Sequence, residues 1–120
     1  MKKKVNEEVK IIADAMLEKK AKDVISLDLR KIGTAVADYF VICNADSSTQ
    51  VQAIADSVEE AMDAAGHRVV RQQGWENAFW IILDYTDTVV HIFKTDQRLF
   101  YRLEDLWADA VKTTYTDPQD

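Results

Sequence analysis

The sequence predicts an α/β (α+β) fold, a single domain in which one mixed sheet of about five strands is flanked by helices. Three observations predict it. Apolar residues recur at three- and four-residue spacing near both ends of the chain and in its middle, the signature of helices with one buried face. Between those stretches lie short runs of β-branched and aromatic residues, which read as strands. The resulting order, helix, two strands, helix, three strands, helix, fits neither an all-α bundle nor a β-sandwich. At 120 residues such a domain buries roughly two thirds of its unfolded surface and needs no disulfide or metal to fold. With only 3 Gly and 1 Pro, the chain is not a disordered or collagen-like one.

Taken in order, Val5, Val9, Ile12, Met16 and Leu17 place one apolar stripe on a helix over residues 5–20. Val24 to Leu29 alternates apolar and polar residues with the period of a strand. Lys31 to Ala37 reads as a loop around Gly33, and Tyr39 to Cys43 as a strand buried on both faces. Ser47 and Gln50 match a capping box, in which each side chain satisfies a backbone N–H of the other residue. They open a helix whose apolar positions run from Val51 to Ala65 and which Gly66 closes. A short strand over Arg68 to Gln72 and a turn over Gly74 to Asn77 follow. Phe79 to Leu83 and Thr88 to Phe93 then form two apolar strands joined at Asp84-Tyr85-Thr86-Asp87, which predicts a hairpin. Leu99, Leu103, Leu106, Trp107 and Val111 return to helical spacing. The expected division is a domain over residues 1–112 and a frayed C-terminal tail over 113–120. The parallel part of the sheet is expected to be joined by the 47–66 crossover.

Charge narrows the partners. The chain holds 15 Lys and Arg against 21 Asp and Glu, a net charge of −6. Residues 1–22 carry +3, so the remainder carries −9. An acidic body repels phosphates, and the Lys2–Lys4 cluster is too small and too terminal to track a nucleic-acid groove. Direct DNA binding is therefore not expected; a basic protein is the better partner. The longest apolar run, Ala78 to Leu83, is far short of the roughly 20 residues that span a bilayer. The single cysteine, Cys43, forms no internal disulfide and fits a reducing compartment, so the expected location is cytoplasmic.

The chemistry-bearing residues are sparse. His67, His91 and Cys43 lack the spacing of a metal site, and no glycine-rich phosphate loop occurs, so neither a metal nor a cofactor is expected. A nucleophilic pair of Cys43 with His91 would need an exposed, electropositive thiol. Cys43 instead ends the Tyr39-Phe40-Val41-Ile42 run and reads as an inert core thiol. The alternative enzyme reading is a nucleotidyltransferase-like site, with Ser47 and Ser48 on phosphate and Asp84 with Asp87 on magnesium. Against it, no glycine precedes Ser47, and the two aspartates are three apart across a turn. What folding leaves unexplained is a concentration of aromatic and charged residues between Trp75 and Trp107, the residue types that carry binding energy at protein interfaces.

Several segments together resemble the Iojap family of ribosomal silencing factors. They are Asp38-Tyr39-Phe40-Val41-Ile42, Ser47-Ser48 with Gln50-Val51, the block from Trp80 through Asp84-Tyr85-Thr86-Asp87 to His91-Ile92-Phe93, and Arg98-Leu99-Phe100-Tyr101-Arg102-Leu103-Glu104-Asp105-Leu106-Trp107. Two departures fall in turns: Thr86 stands where the family usually has Gly, and Asn44-Ala45-Asp46 replaces a run of small residues. The resemblance implies a non-catalytic factor with a nucleotidyltransferase-like fold that lacks the active site. It would bind the large ribosomal subunit through its L-fourteen protein, block joining of the small subunit and repress translation. Family members are often homodimers, and the sequence leaves the oligomeric state open. The expected docking patch is the Phe79–Phe93 hairpin with the helix that follows, and its expected partner-binding residues are Trp80, Asp84, Tyr85, Asp87, His91, Arg98 and Tyr101.

Overall fold

A computed structural model describes the backbone of residues 2–116 and the side chains of residues 7–116; the predicted Lys2–Lys4 side chains lie outside that range. The first helix, α1 (Lys2–Glu18), starts three residues earlier than predicted and buries Val9, Ile12, Ala13 and Met16. Strands β1 (Lys22–Asp28) and β2 (Tyr39–Ala45) pair antiparallel, and every residue of β2 is buried, as its unbroken apolar run predicts. Helix α2 (Ser48–Ala64) is capped by the Ser47 side chain, which accepts the Gln50 backbone N–H at 3.2 Å. The capping box is only half formed, because the Gln50 amide donates to the Lys19 carbonyl at 3.2 Å instead. That bond ties the start of α2 to the turn after α1.

Then come β3 (Arg71–Gln73), β4 (Trp80–Asp84) and β5 (Thr88–Lys94), with the predicted hairpin between the last two. Strand β5 also pairs in parallel with β2. The α2 crossover therefore does not lead straight into β2's parallel neighbour; the chain first lays down β3 and β4 and returns through the hairpin.

The last third corrects the sequence reading. The predicted single helix through Leu99, Leu103, Leu106, Trp107 and Val111 is two short ones, α3 (Thr95–Tyr101) and α4 (Leu103–Leu106), broken at Arg102, whose φ is 48°. Val111 begins a sixth strand, β6 (Val111–Tyr115), antiparallel to β1. Residues 113–115 are thus part of the sheet and not a frayed tail; residues 117–120 lie outside the described range. Val111, Thr113 and Tyr115 alternate with Lys112 and Thr114, so the segment carries a period of two. A helical reading of Val111 alone hid that period. The sheet has six strands rather than five, in the order β3-β4-β5-β2-β1-β6.

One face of the sheet is covered by α1 and α2 over Val24, Val41, Cys43, Ile81, Leu83, Val90 and Ile92. The Ser57 hydroxyl donates to the Ala15 carbonyl at 3.1 Å and pins the two helices together. The other face, over Ile25, Leu27, Phe40, Ile42 and Phe93, is covered by the 29–38 loop, the two short helices α3 and α4, and Trp107. Cys43 is fully buried on the first face, and burial pushes its thiol far up, so it is the inert core thiol expected. His91 pairs in register with Ile42, the residue before Cys43; side chains alternate along a strand, so the two point to opposite faces.

Thr86, in the hairpin turn, holds a φ of 76°, a left-handed conformation that costs a residue with a side chain about 1–2 kcal/mol. The Asp84 carboxylate accepts its backbone N–H at 2.8 Å and holds it there. Thr86→Gly is expected to raise stability by about 1 kcal/mol, the relieved strain less the extra freedom glycine has when unfolded. Chemical denaturation reads it, and a lower midpoint for the variant would contradict the assignment of strain.

Candidate functional site

Sidedness of the sheet locates the site. On the face without α1 and α2, aromatic rings run in a continuous chain from core to surface. His91 meets Phe40 edge to face at 4.6 Å between centroids, and Phe40 in turn meets Trp107 at 5.9 Å. Trp80 stacks on Phe93 at 4.7 Å and touches Tyr101 at 4.9 Å; Tyr101 meets Phe100 at 5.1 Å. The chain ends in open solvent, where Leu99 is 72%, Phe100 77% and Leu106 74% exposed. Apolar side chains this exposed on two short helices that follow one another at Arg102 form the kind of surface patch that marks an interaction site.

The helices that carry the patch are held by a buried guanidinium. Arg98, 8% exposed, donates from one terminal nitrogen to the Asp23 carbonyl at 2.7 Å and to the Asn44 side chain at 2.8 Å. Its other terminal nitrogen and its Nε reach Glu104 of α4 at 3.0 and 3.3 Å. The network continues outward: Asn44 donates to the Thr95 hydroxyl at 2.9 Å, Thr95 donates to Asp46 at 2.7 Å, and Lys22 pairs with Asp46 at 2.6 Å. Arg98 thus ties a left-handed residue of β1, Asp23 with φ 49°, to the end of β2 and to both short helices. Beside it a cleft of about 590 Å³ opens between α3 and β6.

The predicted binding residues divide into three groups. Trp80 and Tyr101 lie together at the patch, Tyr101 being 48% exposed. His91, Tyr85 and Arg98 are corrections to the expected surface: each is at least nine-tenths buried. His91 sits under the aromatic chain, Tyr85 packs into the core on the α1 and α2 face, and Arg98 is the clamp just described. Asp84 and Asp87 lie at the hairpin turn, four strand residues from Trp80 and so roughly 13 Å from the patch. There Asp84 fixes Thr86, and the Asp87 carbonyl receives the backbone N–H groups of Asp38 and Tyr39 at 2.8 and 3.1 Å.

Leu99, Phe100 and Leu106, which the sequence reading assigned to a core stripe or left unused, are the exposed centre. The signal was present in Arg98-Leu99-Phe100-Tyr101-Arg102: three consecutive large apolar residues on a helix cannot all face one core.

The same geometry bears on the enzyme reading. Tyr39 pairs with Thr88 at one end of β2, and Ala45, just before Ser47, pairs with Lys94 at the other. Ser47 and Ser48 are therefore about 20 Å of strand from Asp84 and Asp87, and the four do not assemble into one site. Among the described residues no group of three His, Cys, Asp or Glu side chains is placed to hold a metal ion, and no helix is long and apolar enough to cross a membrane.

Comparison with known proteins agrees on one family. The family described as "Ribosomal silencing factor during starvation" matches residues 2–120. The ribosomal silencing factor RsfS of Bacillus subtilis is 44% identical over 102 residues, 85% of this chain and 86% of that protein. The chloroplastic protein Iojap of Zea mays is 33% identical over 100 residues, 83% of this chain but 43% of its own length. A crystal structure of a Chromobacterium violaceum protein superposes with a TM-score of 0.82 at 34% identity, covering 86% of this chain and 85% of that one.

His91 makes a titration test available. The Trp80 indole N–H donates to its Nδ1 at 3.1 Å, so the proton of the neutral ring is on Nε2, which is buried and has no partner among the described residues. Burial pushes the imidazole down to about 3 from its ordinary 6.5. The folded protein keeps His91 neutral, so its contribution is fully present above the unfolded value. As pH falls from about 6.5 toward 3 the unfolded chain takes up a proton that the fold refuses, and stability drops. Between pH 7 and pH 5 the wild type is expected to lose about 2 kcal/mol more than His91→Gln. Denaturant titrations at both pH values measure it, and equal losses would show that His91 is not held neutral.

Proposed function

The chain belongs to the ribosomal silencing factor family, RsfS, and on that premise we propose that it is a cytoplasmic, non-catalytic factor that binds the large ribosomal subunit through its L-fourteen protein. Bound there, it blocks joining of the small subunit by its bulk and so represses translation. The observation that carries this reading is the α3 and α4 patch, where Leu99, Phe100 and Leu106 stand in water beside the Trp80 and Tyr101 pair.

Exposing such side chains costs solubility, and a patch with aromatic anchors at its centre supplies affinity when a partner covers it. The charge supports a basic protein as that partner: the chain carries −6 overall, and Asp96, Asp105 and Asp109 are exposed on the same segment. Acidic groups at the rim speed encounter with a basic surface and repel RNA phosphates. Steric blocking asks only that the patch be rigid, and the Arg98 clamp supplies the rigidity. No step in it needs a nucleophile, a metal or a proton donor.

Since Tyr85 is buried, the anchor to truncate is Phe100. Phe100→Ala is expected to cost about 2 kcal/mol of binding to purified large subunits, roughly thirtyfold in dissociation constant, with an unchanged unfolding midpoint because the ring is 77% exposed. Removing Lys2–Lys4 is expected to leave the block of subunit joining intact. Sedimentation with large subunits and a subunit-joining assay read both. Loss of the block without the lysines, together with an intact block in Phe100→Ala, would mark an RNA binder and overturn the proposal.

A further inference from the structure

On the patch side of the sheet one polar group is left unmatched. His91 stands between Ile82 of β4 and Ile42 of β2 in the strand register. It is buried, with the rings of Trp80, Phe40 and Phe93 around it. The Trp80 indole fixes its tautomer: Nδ1 must accept, so Nε2, on the other side of the ring, carries the proton. Of the buried side-chain nitrogens and oxygens among the described residues, Nε2 alone has no hydrogen-bond partner. The neighbouring Phe40 ring offers at most its π face, a weak acceptor. Phenylalanine would fill the same space without an unmatched donor, so packing alone does not explain an imidazole here.

What lies over this donor is weakly seated. Phe40 is the ring next to His91, and Trp107 is the ring next to Phe40, at 5.9 Å between centroids. Trp107 follows α4, a helix of four residues none of which is buried. Leu103, Trp107 and Ala110 rest only partly buried on the core beneath. The segment is joined to α3 through the left-handed Arg102 and held to it by the Arg98 and Glu104 ion pair at 3.0 Å. A helix this short gains little from its own hydrogen bonds. Residues 103–110 therefore form a strap between two anchored ends, α3 and β6, that opens about Arg102 while β2 and β5 stay paired.

We infer that the strap uncovers His91 when the patch is occupied, and that the imidazole Nε2–H then donates to a main-chain carbonyl of an apolar segment of the partner protein, a contact which presupposes that α3 and α4 form the docking surface. The pocket selects that acceptor. A carboxylate would enter an aromatic site with no free cation, since the Arg98 guanidinium is already matched by Glu104, and an unpaired buried charge is far costlier than a buried amide. A backbone carbonyl has two lone pairs, so it accepts from His91 while keeping its place in the partner's own strand or helix. Burial keeps the ring neutral, so Nε2 remains a donor around neutral pH. The bond gives direction to a patch whose other contacts are apolar. A partner without the carbonyl leaves the donor unpaired and is rejected.

The test compares His91→Phe, which removes the donor and keeps the bulk, with His91→Gln, which keeps an amide donor and an acceptor for Trp80. Sedimentation with purified large subunits gives the dissociation constants, and denaturant titration at neutral pH gives the stabilities. His91→Phe is expected to bind about tenfold more weakly, and His91→Gln within about threefold of the wild type. The unfolding midpoint of His91→Phe is expected to be no lower than that of the wild type, because relief of the unmatched donor offsets loss of the Trp80 bond. In hydrogen exchange of the free chain, amides of residues 103–110 should exchange about a hundredfold faster than those of β5. Wild-type affinity in His91→Phe, with Phe100→Ala still weakened, would overturn the contact and leave the docking surface standing. Equal weakening in both His91 variants with lowered midpoints would assign the imidazole to folding alone. Equal protection of the strap and β5 would overturn the opening, and a wild type that does not sediment with the subunits would overturn the contact and the docking surface together.

Discussion

The exposed apolar patch of this protein depends on the burial of one guanidinium. At 8% exposure the Arg98 guanidinium is stable only because its donors meet Asp23, Asn44 and Glu104 at hydrogen-bonding distances. Removing a partner from such a group leaves an uncompensated buried charge, which costs about 3–5 kcal/mol. That penalty makes the position of α3 all or none. A seven-residue helix is too short to hold itself in water; the clamp at Arg98 and the Trp80 and Tyr101 contact fix its rotation. With Arg98 turned inward, Leu99 and Phe100 must turn outward.

The two sides of the sheet follow from the same economy of covering elements. α1 and α2 supply enough apolar surface for one face, and the core there is sealed around β2 and β5. The other face receives a loop and two short helices, and its aromatic residues grade from buried His91 and Phe93, through half-buried Trp80 and Trp107, to open Phe100. A sheet finished on one side and left apolar on the other suits a protein whose partner completes it.

Much of this was legible in the sequence, and the failures have physical causes. The buried strand at Tyr39 to Cys43, the Ser47 cap and the 84–87 hairpin were readable because each rests on local chemistry: continuous apolar residues, a side chain that reaches its own backbone, and turn formers between two strands. The family could be read from the Trp80 to Trp107 blocks. Individual roles could not, because type does not reveal direction. Arg98 and Tyr85 carry the chemistry of interface anchors and were placed at the surface, yet packing across the chain buries both. Leu99 and Leu106 look like core and lie in water. The break at Arg102 made the difference, since a left-handed residue there, with φ 48°, reorients everything after it and frees Val111 to join a sheet edge formed by β1, more than eighty residues earlier. No window of local sequence contains that pairing.

Hydrogen exchange of the chain alone and mixed with purified large ribosomal subunits shows which backbone a partner covers without altering any residue. New protection is expected over residues 95–107, with the 29–38 loop and the amino-terminal lysines exchanging as in the free protein. Protection confined to residues 1–22, with 95–107 unchanged, would contradict it and place the contact on the basic end of the chain.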